Sequence, residues 1–419
     1  MKIEKITVTP IAIQDPPLLN VLGIHQPYAL RSIIEVTADN GLVGLAETYG
    51  DSNTLNGLNR VSELLAGLDP FCLNDLEARV ERGLAGMKVK DGSILAPGTI
   101  PERAKAIAFA AYETACLDLQ GKLLGLPVAE VLGGRVRDAV PFSAYLFYKK
   151  ARHIGAAHDD PYGAAETPEA VVRQAKAFVA EYGFKSLKLK GGVYEPAVEI
   201  ETMRQLKKAF PDHPLRLDPN GGWTVKTAIA AAHELEGVLE YLEDPVLGFA
   251  ESADVAHSIS MPIATNMVVV SFQDLAESVR HGSVQVILSD HHYWGGMRAT
   301  QALAKICSIW KLGLSMHSNS HLGISLVAMA HVAAACTNLT YACDTHYPWQ
   351  QDEVIAGGKL KFIDGALPVP TKPGLGVDLD RDALTRLHRQ YLACEDLDRD
   401  DVKEMRKYDP NWKGALPRF

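Results

Sequence analysis

The sequence predicts an α/β protein, a closed (β/α) barrel joined to an N-terminal α+β unit. Three observations carry this. Beyond residue 140, eight short apolar strands alternate mostly with helical segments, and such alternation builds a parallel sheet. Eight strands within about 230 residues suit a closed barrel. Finally, Lys190, Asp218, Glu243, Asn266, Asp290, His317 and Asp344 each end a strand, at successive spacings of 28, 25, 23, 24, 27 and 27 residues. That rhythm is one βα unit per step, and it places seven polar groups at one barrel mouth.

In chain order, residues 1 to 50 read as a β-meander, "KITVTPIAI", "RSIIEVTA" and "LVGLAET", with Asp39-Asn40-Gly41 as turn chemistry. From 56 to 125 the pattern is helical. "AKAIAFAAYETACLDLQGKLLG" ends on Gly125, a C-cap, with Pro127 just beyond. "VLGGRVRDAV" then serves as a hinge. The barrel strands are "VPFSAYLF", "SLKLK", "LRLD", "EYLED", "IATN", "QVILSD", "LSMHS" and "TYACD". A longer connection, "YKKARHIGAAHDDPYGAAETPEA", separates the first two. After 375 a charged amphipathic tail, "RDALTRLHRQYLACEDLDRDDVKEMRKYDPNWKG", is expected to pack back on the N-terminal unit. The expected architecture is a modified TIM barrel of the (β/α)7β type (136–375), an α+β capping domain (1–135), and a C-terminal segment (376–419) that completes the cap.

Composition bounds the function. The 419-residue chain is 47% hydrophobic and 22% charged, with a formal charge of −9. A nucleic-acid partner would want a basic face, so none is expected. Six cysteines without a CxxC pair read as a reduced, cytoplasmic protein. "MKIEKITVTPIAI" has no signal-peptide core, and no apolar run approaches membrane-spanning length.

Asp218, Glu243 and Asn266 offer three hard oxygen ligands on successive strands, a set suited to Mg²⁺. Singly, each could equally be a helix N-cap. Lys188 and Lys190 alternate with Leu187 and Leu189, so both lysines should point into the barrel while the leucines meet the helices. Burial beside a second ammonium lowers a lysine's pKa, which makes Lys190 a candidate general base with Lys188 as its cationic neighbour. The bland alternative is a pair of exposed lysines on a sheet edge. His317 ends the seventh strand and Asp290 the sixth, close enough for the carboxylate to fix one imidazole tautomer and raise its basicity. Mg²⁺ flanked by Lys190 and by a His317–Asp290 dyad suits abstraction of a proton next to a carboxylate.

On these residues the chain resembles the enolase superfamily, and within it the glucarate dehydratase branch of the mandelate-racemase-type enzymes. The matching segments run from about 15 to 385: "LLNVLGIH", "SAYLFYKK", "LKLKGGV", "LRLDPNGGW", "YLEDP", "PIATNM", "SDHHYW", "MHSNSHLGISLVAMAHVAAA", "CDTHYPWQ" and "KPGLGVDLD". A weaker echo, "DRDD", lies near 400. The resemblance implies Asp218, Glu243 and Asn266 as Mg²⁺ ligands, Lys190 as base on one face, and His317 with Asp290 on the other. It implies substrate contacts from Asn20, His25, Tyr145, Phe147, Asn220, Ser318, Asn319, His346 and Arg399. The implied reaction is dehydration of a six-carbon diacid sugar, glucarate first, giving a keto-deoxy diacid; galactarate or idarate are the alternatives, as is a weakly active relative.

Departures fall in the cap. Ala104 and Lys105 stand where glucarate dehydratases carry a threonine pair, the segment after "EDPV" is shorter, and the region from 75 to 105 differs. Two other function classes bear weighing. "HSNSH" places two histidines four apart, as a zinc site might, but lacks a helical Glu between them. A non-catalytic sugar-acid binding barrel would need neither Lys190 nor the dyad. A homo-oligomer is a mild expectation for a barrel with apolar outer helices.

Overall fold

The structure, a computed structural model, describes residues 1–90, 92–95, 100 and 103–419. The chain opens with β1 (Ile3–Gln14), the small hairpin β2 (Leu19–Asn20) and β3 (Gly23–Ile24), then β4 (Tyr28–Ala38) and β5 (Val43–Tyr49). β1, β4 and β5 form an antiparallel sheet in that order. Helices α1 (Ser52–Ser62), α2 (Leu73–Leu84), α3 (Ala104–Leu124) and α4 (Val128–Val131) follow. α3 is buried from Ile107 to Gly121 on nearly every side, which its even spread of Ala and Leu allows. Gly44 of β5 lets α3 approach, since a Cβ there would stand 2.1 Å from the Ala115 carbonyl oxygen. The helix ends on Gly125 at φ 69°, whose N–H caps Gly121 and Lys122.

The second unit is β6 (Ala139–Phe147), α5 (Pro168–Tyr182), β7 (Leu187–Lys190), α6 (Pro196–Ala209), β8 (Leu215–Asp218), α7 (Val225–Glu234), β9 (Tyr241–Glu243), α8 (Phe249–Ser258), β10 (Ile263–Thr265), α9 (Phe272–His281), β11 (Val286–Ser289), α10 (Gly296–Trp310), β12 (Gly313–Met316), α11 (Gly323–Ala335) and β13 (Cys343–Thr345). The eight strands pair in parallel, from β13 through β6 to β12 in chain order. At the seam the Thr340 N–H donates to the Leu314 carbonyl, and the Ser315 hydroxyl to that of Ala342. Seven helices between eight strands make a (β/α)7β barrel. β14 (Ala366–Pro368) then adds to β6 antiparallel.

The tail carries α12 (Arg381–Leu392) and α13 (Asp401–Met405). α12 lies on β1, where His388 and Gln390 bond the Pro10 and Ala12 carbonyls at 2.7 and 3.0 Å. α13 sits under the β2–β3 hairpin: Asn20 donates to Asp401 Oδ2 at 2.8 Å, so the tail steadies the loop over the barrel mouth. Among the described residues no helix is long and apolar enough to cross a membrane.

Candidate active site

The parallel register sets the site. Lys190 lies opposite Asp218 in the β7–β8 ladder, and Ser289 opposite Met316 in the β11–β12 ladder, so Asp290 and His317 leave adjacent strands side by side. Asn20, His25, Tyr145, Phe147, Lys190, Asn220, Asn266, His317, Asn319, His346 and Arg399 all line one cavity of about 460 Å³ at the barrel mouth. Asp218, Glu243, Asp290, Lys188 and Ser318 sit buried behind its wall. β8, β9 and β10, which carry the three oxygen ligands, stand between β7 and the β11–β12 pair. Lys190 and His317 therefore approach from different flanks.

Both lysines do point inward. Lys188 is fully buried, with Nζ 2.5 Å from Glu243, 2.7 Å from Asp344 and 3.5 Å from Asp218. Lys190 Nζ is 2.7 Å from Asp218 Oδ2, and both ammoniums lie over the Tyr145 ring. Lys188, the expected cationic neighbour, is held firmly as an ammonium. Burial pulls its pKa down, but Asp344, Glu243 and Asp218 outweigh this and hold it well above the ordinary lysine value. Asp218 is disfavoured as an anion by burial, yet Lys190 and Lys188 keep it below the usual range. Glu243, buried beside that charge, is pushed up.

This carboxylate cage can hold a divalent cation. Oxygens of Asp218, Glu243 and Asp244 come within 4.8 Å of one another, and Asn266 Nδ2 lies 3.1 Å from Glu243 Oε1. Glu243 Oε2 and Asn220 Oδ1 are buried without a hydrogen-bond partner among the described residues. Orphaned, all-oxygen acceptors fit a hard ion such as Mg²⁺. Asp244, one residue past the strand end marked by Glu243, braces the set by accepting from the Thr265 hydroxyl and the Asn266 N–H. It adopts φ 38°, an αL conformation that Asp tolerates better than most residues.

On the other flank, Asp290 Oδ2 receives His317 Nδ1 at 3.2 Å. This fixes the proton on Nδ1, and Nε2 has no protein partner among the described residues. Here the expected rise in basicity is not the net result. Burial lowers the His317 pKa below the ordinary histidine value, and Asp290 recovers only part of it. His321, the second histidine of "HSNSH", turns instead to the Thr345 hydroxyl at 3.2 Å.

The outer wall carries residues that strand rhythm could not indicate. Ser318 accepts the His346 N–H at 3.0 Å and meets His346 Nδ1 at 3.2 Å, so it orients that ring from behind rather than facing the cavity. His25 is held by Asp15 at 2.9 Å, and Arg399 by Asp401 at 2.7 Å. Lys105 turns away to Glu77 and Glu81 on α2. Arg103, two residues earlier in the chain and just before α3, lines the cavity, with its guanidinium 4.5 Å above the Tyr293 ring. The divergence expected over 75–105 falls partly on 91, 96–99 and 101–102, which lie outside the described residues.

Comparison with known proteins agrees with this architecture. The family described as "Mandelate racemase / muconate lactonizing enzyme, N-terminal domain" matches residues 3–133, and "Enolase C-terminal domain-like" matches 170–383. A probable glucarate dehydratase of Streptomyces coelicolor is 48% identical, over 100% of this chain and 99% of its own. A Pseudomonas fluorescens enolase structure with bound magnesium, potassium and tartrate is 52% identical with a TM-score of 0.98, covering 100% of this chain and 99% of that one. A Thermobispora bispora enolase structure with magnesium and formate is 50% identical with a TM-score of 0.97, covering 100% of both chains. The chain belongs to the mandelate racemase / muconate lactonizing enzyme family of the enolase superfamily.

Proposed function

We propose that this chain is a Mg²⁺-dependent hydro-lyase that dehydrates an aldarate, with D-glucarate as the leading substrate and 5-dehydro-4-deoxy-D-glucarate as product. The observation that carries the reading is one cavity bearing Lys190 and His317 on separate flanks of an oxygen-ligand cluster. Asp218, Glu243 and Asn266 would hold the ion. Bound there, Mg²⁺ supplies the positive charge that lowers the cost of forming a carbanion next to a carboxylate. The relatives support the assignment: one bears the name of a glucarate dehydratase, and another binds magnesium together with tartrate, itself a hydroxylated diacid.

The chain's own groups divide the chemistry. Lys190, or His317 for the opposite epimer, removes the proton next to one carboxylate. On its own face His317, Nδ1–H anchored on Asp290, takes the α-proton on Nε2, and the imidazolium returns it to the hydroxyl on the adjacent carbon as the C–O bond breaks. On the lysine face Lys190 keeps the α-proton, and His317 has to enter the turnover already protonated on Nε2 to give that proton to the leaving hydroxyl. The resulting enol becomes the keto acid. Tyr145, Phe147 and His346 pack as an aromatic wall, with Tyr145 and His346 ring centroids 4.5 Å apart. Asn20, His25, Asn220, Asn319 and Arg399 offer polar groups for the hydroxyls and the second carboxylate.

The test is turnover of a panel of aldarates, read by keto-acid formation and by α-proton exchange in D₂O, with and without Mg²⁺. Mg²⁺-dependent keto-acid release is expected. Lys190→Ala should abolish turnover of the lysine-face epimer while Mg²⁺ still binds, and His317→Asn should leave exchange at that face without dehydration. Full dehydration by His317→Asn, or neither exchange nor product from any aldarate, would refute the assignment; in the second case a binding barrel becomes the better reading.

A further inference from the structure

Asp290 does not serve His317 alone. Its Oδ1 receives His292 Nδ1 at 2.7 Å and the His292 N–H at 2.9 Å, while Oδ2 faces His317. The far side of the His292 ring is closed by two groups: Nε2 lies 2.7 Å from Ser325 Oγ and 3.3 Å from Arg31 Nη2. A guanidinium has donors only and stays protonated, so Nε2 must present its lone pair, and the ring's one proton sits on Nδ1, aimed at Asp290.

Arg31 comes from β4 of the N-terminal sheet and is itself held. Its Nε is 2.9 Å from Glu47 Oε1 on β5, and its guanidinium lies 5.0 Å from the Tyr49 ring centroid. Glu47 also accepts the Leu322 and Ser325 N–H groups at 2.8 and 2.9 Å, pinning the segment between His317 and α11. Tyr49 reaches Asp290 Oδ2 at 3.4 Å. The sheet that caps the barrel thus enters the barrel's acid–base pair from behind.

We propose that Arg31 and His292 are positioning residues: Arg31 bars a second proton from His292, so Asp290 keeps its full negative charge for His317. The inference rests on His317 as the acid–base group of the proposed function. Were His292 free to become an imidazolium, it would neutralise Asp290 at 2.7 Å and strip His317 of its counter-charge. Other groups around the two rings are compatible with this. His317 is faced by Asp290 and Tyr293, with Lys188 and Asp344 further off. His292 is faced by Asp290, Arg31, Ser325 and the rings of His291 and Tyr49, with His321, which burial keeps well below the ordinary histidine pKa, nearby.

The experiment is ¹⁵N-histidine NMR on the full chain with Mg²⁺ and without substrate, titrating His317 in the wild type, Arg31→Gln, Arg31→Lys, His292→Gln and the Arg31→Gln/His292→Gln double variant. The His317 midpoint is expected to fall by about one unit in Arg31→Gln, the shift an opposite charge within hydrogen-bond reach produces. Arg31→Lys should restore most of it. In the His292→Gln background, where no second proton can be taken, loss of Arg31 should have no further effect. The acid limb of kcat/KM should move in parallel, whereas a merely structural role would lower kcat with the limb in place. An unchanged His317 midpoint in Arg31→Gln overturns the proposal. So does a wild-type His292 that carries its proton on Nε2, a readout that needs no variant to fold. Because the titration needs no turnover, a chain inert toward every aldarate but showing these shifts would sink the dehydratase reading and leave the linkage standing.

Discussion

Lys188→Met is the sharpest test of the site's electrostatics. The lysine is fully buried, and its ammonium meets Glu243 and Asp344 at 2.5 and 2.7 Å. At the effective dielectric of about 20 that suits buried groups, each contact is worth roughly 6 kcal/mol before desolvation. Burying the ions costs several kcal/mol each, so the net loss on deleting one partner falls to about 3–5 kcal/mol. A domain has only about 5–15 kcal/mol of stability, so the loss should be large in a urea midpoint at pH 7.5. Two signatures separate this from simple loss of packing. The freed carboxylates bind protons more readily in the folded state than in the unfolded one, so the variant should regain stability as pH falls towards 5. Mg²⁺ should also stabilise the variant more than the wild type, since it competes with one fewer ammonium; at 100 times its dissociation constant it adds about 2.7 kcal/mol. A variant within about 0.5 kcal/mol of wild type, with an unchanged denaturant slope, would refute the reasoning.

Other expected outcomes follow from single contacts. Arg103 lines the cavity and has no carboxylate partner among the described residues, so Arg103→Met should raise KM for a diacid sugar by about tenfold or more, the worth of a charged hydrogen bond, and spare a monoacid. Equal effects on both would remove Arg103 from substrate recognition. His331 of α11 is buried between the Ala129 N–H at 3.2 Å and the Leu375 carbonyl at 3.1 Å, and burial lowers its pKa to about 4. The unfolded chain takes up its proton below about pH 6.5 and the folded chain only near 4, so unfolding free energy should fall across that window, by at most about 3 kcal/mol. His331→Gln should flatten the slope in urea midpoints taken from pH 7 to 4.5. Glu113 of α3 runs the other way. It accepts the Met297 N–H at 2.7 Å, and burial lifts its pKa to about 7, so stability is lost as pH rises through 4.5 to 7 and Glu113→Gln should remove that loss.

The inner half of the site was legible in the sequence because a barrel imposes a period. Lys190, Asp218, Glu243, Asn266, Asp290 and His317 declared themselves by recurring at strand ends, and a parallel ladder brings such ends together whatever lies between. The cap obeys no such rule. Arg103 precedes a helix and Tyr293 lies in a loop, and nothing in their neighbours' spacing marks a residue that folds over a mouth built elsewhere. Arg31 and Glu47 did leave a signal: charges inside the apolar runs "LRSIIEV" and "GLAETYG", where a two-residue alternation would give them a buried face. A buried charge needs a partner, and each is the other's.

Directions of pKa shift are not legible in a sequence, for a physical reason. Spacing tells which groups meet, but the sign of a shift depends on the balance between lost solvent and every charge within reach. Lys188 went up because three carboxylates outvoted burial; His317 went down because one carboxylate did not. The same comparison bears on catalysis. A lysine locked among Glu243, Asp344 and Asp218 is poorly placed to accept a proton, whereas Lys190 pairs, among the described residues, with Asp218 and has an open side on the cavity. If Asp218 and Glu243 turn to a bound cation, Lys190 loses the carboxylate partner it has among the described residues, while Lys188 keeps Asp344. The two lysines of "LKLK", alike in sequence, are thereby separated into a fixed counter-charge and a movable base.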